Sequence, residues 1–90
     1  MPVIATFTVK GKDLIARYDA LMAKLPAAYP ERPRFHACSP TPEGIQVVDV
    51  WESPEALERF ATSPAFVALR RESGLPDPEV QVLPVHRMNW

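Results

Sequence analysis

The segment "IQVVDVWE", residues 45–52, constrains the fold most, because it carries apolar side chains on both of its alternating faces. Alternation puts Val48 and Val50 on one face and three apolar side chains on the other: Ile45, Val47 and Trp51. Such a run is typical of a central strand that is buried on both sides. Two helices can cover only one face of a small sheet. An uncovered apolar face is rarely tolerated in a monomer, so we expect an identical chain to cover it in a homodimer.

Three further segments predict strands: residues 3–9, 34–39 and 79–87. Pro84 confines the last of them to a sheet edge or a bulge, because proline has no N–H to donate. The turn between the second and third strands is the segment "PTPEG".

The remaining segments have helical periodicity. Apolar spacing predicts a first helix over residues 13–25 that is stopped by Pro26. Ser53 followed by proline is a start signal for a second helix over residues 54–61, and the same signature at Ser63 breaks it. The later helical piece ends at Gly74, which favours a left-handed cap.

The resulting order is β-α-β-β-α-β, and 90 residues allow one domain, residues 1–90. Right-handed crossovers then predict an α+β, ferredoxin-like fold with a four-stranded antiparallel sheet and both helices on one face. Strands one and three are expected at its centre, and strands two and four at its edges.

Composition excludes several classes of function. The net charge of -1 and the scattered basic residues argue against a nucleic-acid partner. No apolar run approaches the roughly 20 residues that a membrane span needs. Cys38 is the only cysteine, so it forms no internal disulfide, and we expect a cytoplasmic setting. We expect no cofactor and no metal, since the chain has neither a glycine-rich phosphate loop nor metal-spaced ligands.

The segment "VDVWESPEALERFATSPAF" resembles the dimeric α/β-barrel superfamily, particularly its antibiotic-biosynthesis-monooxygenase-like domains. The similar features are Asp49 two residues before Trp51, the exit "WES" from strand three, and the Ser63 break. The resemblance implies a face-to-face dimer of sheets, with a pocket between each sheet and its helices. Members include cofactor-free oxygenases of polyketide-like aromatics, haem-degrading oxygenases and lactone isomerases.

The chain also departs from these relatives. Phe60 stands where oxygenase-like members often carry a histidine. Haem-degrading members place a haem-ligating histidine near the position of Arg70 and an asparagine at that of Thr6, so the resemblance does not extend to haem chemistry.

Asp49 is the first candidate for the site. A buried carboxylate is costly unless it is paired, so it either pairs with an arginine or reaches water, or it lines a pocket as a general base. Trp51 on the same face is either a core residue or a platform for a ligand, and its N–H needs an acceptor in both cases.

A loop of four residues between Ser39 and Gly44 would put His36 on the face of Asp49 and Trp51, with Thr6 contributed by strand one. A slip of one residue would reverse this arrangement. We predict His36 and Asp49 as catalytic residues, and four residues as substrate-binding: Trp51, Thr6, Phe60 and Tyr18.

Other chemically active residues have simpler explanations. His86 is predicted on the opposite edge strand, about 14 Å from His36, too far to share a metal within one chain. Cys38 is predicted to be a small buried apolar residue. Arg32 and Arg34 could hold a carboxylate or phenolate or be surface charges. Arg70 and its neighbour Arg71 favour the negative end of a helix.

Three functions remain open. The first is a cofactor-independent, monooxygenase-like enzyme acting on small aromatic or polyketide-like molecules. The second is a non-enzymatic dimeric binding or structural protein. A third, a tautomerase that uses Pro2, rests on the faint similarity of the opening "MPVIATFTV". An open cleft beside Asp49 and Trp51 would favour ligand chemistry, whereas an ion-paired Asp49 with an enclosed Trp51 would favour a structural role.

Overall fold

A computed structural model describes residues 1–89. The strands are β1 (Val3–Lys10), β2 (Phe35–Thr41), β3 (Gly44–Trp51) and β4 (Glu79–Pro84). The helices are α1 (Leu14–Ala28), α2 (Pro54–Thr62) and α3 (Pro64–Ser73). The order of elements agrees with the sequence prediction, with the second helix divided into α2 and α3.

The four strands form one antiparallel sheet in the order β2-β3-β1-β4. The predicted ferredoxin-like fold is therefore confirmed, with β1 and β3 at the centre and β2 and β4 at the edges. In the central pair, Ala5 stands opposite Asp49 and Val3 opposite Trp51. These four residues point to the side of the sheet that the helices cover, where Trp51 packs against Leu57.

The two start signals of the second helical region work as the sequence predicts. The hydroxyl oxygen of Ser53 accepts a hydrogen bond from the N–H of Ala56, at 3.1 Å. Ser63 caps α3 in the same way by accepting from Phe66, at 3.2 Å. Gly74 caps the C-terminus of α3, and its φ of 78° is the left-handed conformation that glycine adopts without strain.

The prediction that Pro26 ends the first helix is wrong. Helix α1 continues to Ala28, with Pro26 inside its last turn. Pro26 lacks the N–H that would bond four residues back, but only two residues of α1 follow it, and the N–H of Tyr29 reaches the carbonyl of Leu25 at 2.8 Å.

The hairpin between β2 and β3 is tighter than predicted. Thr41 pairs with Gly44, so the loop is two residues long rather than four. The register therefore moves by two residues and brings His36 opposite Asp49. Because this shift is even, no side chain changes face. Glycine is required at position 44, since a Cβ there would lie 2.0 Å from the carbonyl oxygen of Val9.

The other face of the sheet carries no helix. Phe35 is 53% exposed there and Leu83 is also exposed, beside three half-buried apolar residues: Ile4, Val48 and Val50. We call these five residues the outer face. Strand β4 ends at Pro84, so His86 lies beyond the strand in which it was predicted. None of the helices within residues 1–89 is both long and apolar enough to cross a membrane.

Candidate functional site

A cavity of about 460 Å³ lies between the helix-facing side of the sheet and the helices. Its volume is within the range typical of sites for small organic molecules. The sheet contributes Phe7 and Val47, and the helices contribute Leu21 and Leu25, so the lining is mainly apolar. The polar exception on the sheet is a cluster of three residues: His36, Asp49 and Trp51.

Asp49 is 4% exposed, and both of its carboxylate oxygens have partners. Oδ1 lies 2.5 Å from Nδ1 of His36. Oδ2 accepts a hydrogen bond from Nε1 of Trp51, at 3.2 Å. The buried carboxylate is therefore satisfied by a histidine and an indole rather than by the arginine or water that the sequence suggested.

The carboxylate of Asp49 fixes the orientation of His36. A carboxylate accepts hydrogen bonds, so in the neutral imidazole of His36 Nδ1 carries the proton and Nε2 is the acceptor. The hydroxyl of Tyr18, on α1, donates to that Nε2. The hydrogen bonds therefore form a continuous chain from Tyr18 through His36 and Asp49 to Trp51. We call these four residues the polar chain.

Tyr18 remains a phenol over the ordinary pH range. Burial raises the pKa of Tyr18 to about 12, and the negative charges that surround it at high pH, those of the Cys38 thiolate, Asp49 and Asp19, act in the same direction. The hydroxyl can therefore donate to His36 while its oxygen still accepts a hydrogen bond from a molecule in the cavity.

An aromatic cluster forms another wall of the cavity. Its centre is Phe60, whose ring centroid lies 5.0 Å from that of Trp51 and 4.2 Å from that of Phe66. Tyr29 packs edge-on against Phe60, at 5.2 Å between centroids. Flat rings can stack or meet edge to face on such a surface.

The prediction that Thr6 belongs to the site is wrong. Thr6 pairs with Val48 and points to the outer face, while Ala5 is the residue opposite Asp49. The two threonines of β1 alternate with its cavity-facing residues, so a correct reading of the alternation would have excluded them.

The other candidate substrate residues, Tyr18, Phe60 and Trp51, all line the cavity. The sequence does not predict the hydrogen bond from Tyr18 to His36. It joins a helix to an edge strand 18 residues away, and local periodicity gives no signal for such a contact.

The cavity lining outside the sheet includes three charged residues: Glu31, Arg32 and Arg70. Arg32 donates to the carbonyl oxygen of Tyr29, at 2.8 Å. Arg34 is not among the lining residues of the described chain and instead reaches Glu52 on the surface, at 3.3 Å.

Three further candidates do not take part in the polar chain: Cys38, Pro2 and His86. Cys38 packs against the apolar group that contains Ile45, and burial raises the pKa of its thiol. The carbonyl of Pro2 accepts from the N–H of Val85 at 3.0 Å, and neither Pro2 nor His86 lines the cavity within residues 1–89. This placement gives no support to a tautomerase site at Pro2.

Asp49 and Trp51 show the pairing and burial expected of a structural role, and they also lie beside the open cleft expected of a ligand site. Asp49 is paired and Trp51 is 1% exposed, as a structural role would require. The cleft beside them is nevertheless open rather than filled. His36, whose side chain is 28% exposed, is the member of the pair that a molecule in the cavity can approach more easily.

No protein-family model matches this chain, and neither does any curated protein sequence. Solved structures do match. A dimeric ferredoxin-like protein of unknown function from Jannaschia sp. CCS1 is 14% identical, with a TM-score of 0.69 over 94% of this chain and 100% of that chain. Rv0793 from Mycobacterium tuberculosis is 21% identical, with a TM-score of 0.67 over 99% of this chain and 100% of that chain.

A third similar structure is SnoaB, a cofactor-independent oxygenase from Streptomyces nogalater. It is 19% identical, with a TM-score of 0.63 over 97% of this chain and 93% of that chain. Dimeric ferredoxin-like proteins and antibiotic-biosynthesis-monooxygenase-like proteins are thus the structures this chain resembles, as the sequence indicated. At these identities the likeness shows the fold alone.

Proposed function

We propose that this protein is a homodimer that binds a small aromatic or polyketide-like molecule in the cavity and removes a proton from it, as a cofactor-independent monooxygenase-like enzyme. The observation that carries the proposal is the polar chain, whose members Tyr18 and His36 line a mainly apolar cavity of about 460 Å³. A base held in an apolar cleft is suited to deprotonating a bound organic acid.

The roles within the polar chain follow from its geometry. His36 is the base, because Nε2 is its acceptor once Nδ1 donates to Asp49, and that nitrogen is hydrogen-bonded to the hydroxyl of Tyr18. Asp49 is a positioning residue, since both of its oxygens are occupied. It holds the imidazole in one tautomer and stabilises the imidazolium that forms. A substrate proton reaches His36 either directly, when the substrate displaces the hydroxyl of Tyr18, or through that hydroxyl.

The substrate class follows from the balance of the reaction. Removing a proton from a methylene group between two aromatic rings gives a carbanion that can pass electrons to O₂. One oxygen atom becomes the new carbonyl and the other leaves as water, so the substrate supplies all four electrons. No separate reductant is required for this reaction. The aromatic nature of the substrate is supported by the cavity wall around Phe60, which is suited to flat rings.

The homodimer is supported by the outer face and by the dimeric proteins that share the fold. A contiguous apolar surface on a monomer is unfavourable in water, and a second copy covers it by two-fold symmetry.

Anthrone, a tricyclic aromatic ketone with an acidic methylene group, is the test substrate. We expect the protein to accelerate its oxygen uptake in air and, without oxygen, the exchange of its methylene protons in D₂O. His36→Gln should lose both activities. His86→Gln is the matched control and should retain them, because His86 does not line the cavity within the described residues. Equal activity of the two variants would contradict the assignment of His36 as the base.

A non-enzymatic binding protein is the second candidate, favoured by the enclosure of Trp51. It predicts saturable binding of anthrone, measured by calorimetry, with no exchange of its protons. The first candidate predicts binding and exchange together.

A further inference from the structure

Arg70 extends from α3 toward the cavity. It follows Phe66 by four residues, so the two side chains share one face of the helix, and both line the cavity. The side chain of Arg70 is 26% exposed. Arg71, one position later, is exposed and is not a lining residue in the described chain.

The partner of Arg70 lies outside the lining. Its Nη1 donates to Oδ1 of Asp77 at 2.6 Å, and the side chain of Asp77 is 88% exposed. A guanidinium carries five N–H donors, so this contact leaves others available. Ion pairs with such an exposed carboxylate contribute little and are easily exchanged for another anion.

The two acidic residues of the lining are already satisfied within the protein. Glu31 accepts from Arg59 at 3.2 Å and from the hydroxyl of Tyr29 at 2.9 Å. Asp49 accepts from His36 and Trp51. Arg70 therefore presents unused donors to an apolar space whose acidic groups are engaged elsewhere. Arg32 adds a second guanidinium to the lining.

We infer that the ligand of this cavity is an aromatic molecule bearing a carboxylate, and that Arg70 binds that carboxylate. This inference rests on the proposed small-molecule function of the cavity. A guanidinium and a carboxylate form two parallel hydrogen bonds, which are strong where water is largely excluded. The ring system would then lie against Phe66 and Phe60, which precede Arg70 in the same wall.

The probes are 2-naphthoate and its neutral methyl ester, titrated by calorimetry into the intact 90-residue chain. We expect the naphthoate to bind roughly tenfold tighter than the ester, as one charge-assisted contact in a shielded site provides. Arg70→Met should remove this preference and leave the affinity for the ester within about twofold. Arg71→Met, the matched control for net charge, should keep the preference.

A second variant tests the inference if Arg70→Met fails to fold. Asp77→Asn removes the competing carboxylate at an exposed position, where substitutions rarely disturb the fold. We expect the naphthoate to bind about two- to fivefold tighter to this variant, and an unchanged or lower affinity would count against the inference.

The possible failures are distinguishable. If the ester and the naphthoate bind wild-type protein equally, the carboxylate inference is overturned while the binding function stands. An equal loss of preference in Arg70→Met and Arg71→Met overturns it as well, because net charge would then be the cause. If neither probe binds, both the inference and the proposed function fail.

Discussion

His36 on β2 stands directly opposite Asp49 on β3, and its Nδ1 lies 2.5 Å from Oδ1 of that carboxylate. The indole of Trp51 holds the other oxygen from two residues further along β3. A buried carboxylate with two fixed donors costs far less than an unpaired one. The contact of Asp49 with Nδ1 also leaves Nε2 of His36 as the acceptor on the cavity side. The pairing of β2 with β3 therefore determines which nitrogen of His36 a ligand can reach.

Replacing Asp49 by asparagine should destabilise the fold by about 1–3 kcal/mol. The amide has one acceptor oxygen where the carboxylate has two, so it cannot satisfy both His36 and Trp51. The free energy of unfolding, measured by urea denaturation at pH 7, checks this expectation. Glu52→Gln is the control and should change stability by less than about 1 kcal/mol, since its pair with Arg34 is exposed. Similar losses in both variants would show that Asp49 is not held as described.

Tyr18 should titrate far above an ordinary tyrosine. Burial raises its pKa to about 12 from the unperturbed value of 10.0, so the folded state holds the phenolic proton more tightly than the unfolded state does. The contribution of Tyr18 to stability is therefore complete below pH 10 and is lost as the pH rises from 10 to about 12. Absorbance at 295 nm should show its ionisation step near the upper end of that range.

The matched variants for this titration are Tyr18→Phe and Tyr29→Phe. Tyr18→Phe should remove the step near pH 12 and flatten the fall in stability above pH 10. Tyr29→Phe should leave that step in place, although burial and hydrogen bonding to Glu31 also raise the pKa of Tyr29. A Tyr18 step near pH 10 would mean that the hydroxyl is not enclosed beside His36.

Phe60→Ala should lower both stability and affinity for aromatic ligands. Phe60 contacts Trp51, Phe66 and Tyr29, so its removal leaves a void at the centre of the aromatic cluster. We expect a loss of about 2–3 kcal/mol, somewhat below the roughly 3–5 kcal/mol of a fully buried Phe→Ala change, because Phe60 is only partly buried. Urea denaturation and calorimetry with methyl 2-naphthoate provide the measurements.

The control for Phe60 is Ile15→Ala, on α1. Ile15 is exposed, and its truncation should cost less than about 1 kcal/mol and leave the affinity for the ester unchanged. If Phe60→Ala bound the ester as tightly as wild type does, the aromatic wall would not form part of the ligand site.

Charges on the outer face should separate the homodimer. Phe35→Glu combined with Leu83→Glu places two like charges per chain on the surface that the second copy would cover. Light scattering after size exclusion should give the mass of two chains for wild type and of one chain for the variant. Circular dichroism should show the same secondary structure in both.

Ile15→Glu is the matched control for that experiment, because Ile15 is an exposed apolar residue on a helix rather than on the outer face. It should remain dimeric. A wild-type protein with the mass of one chain would overturn the dimer and leave the outer face unexplained.

Local signals are sufficient for most of the elements. The serines of the serine–proline pairs at Ser53 and Ser63 cap their helices through contacts within one turn, so each helix start can be predicted from neighbouring residues. The prediction at Pro26 fails because the helix continues for two residues beyond the proline, to Ala28, so the bond that Pro26 cannot make is lost next to the end of α1 and displaces no long segment.

The sequence by itself determined the β-α-β-β-α-β order and the face of β3 that carries Asp49 and Trp51. Both follow from backbone periodicity, which is a local property. Only the tertiary structure decided that His36 lies opposite Asp49 and that Tyr18 completes the polar chain. Those relations depend on the length of one hairpin loop and on how α1 packs over the sheet, which are set by contacts between residues distant in the sequence.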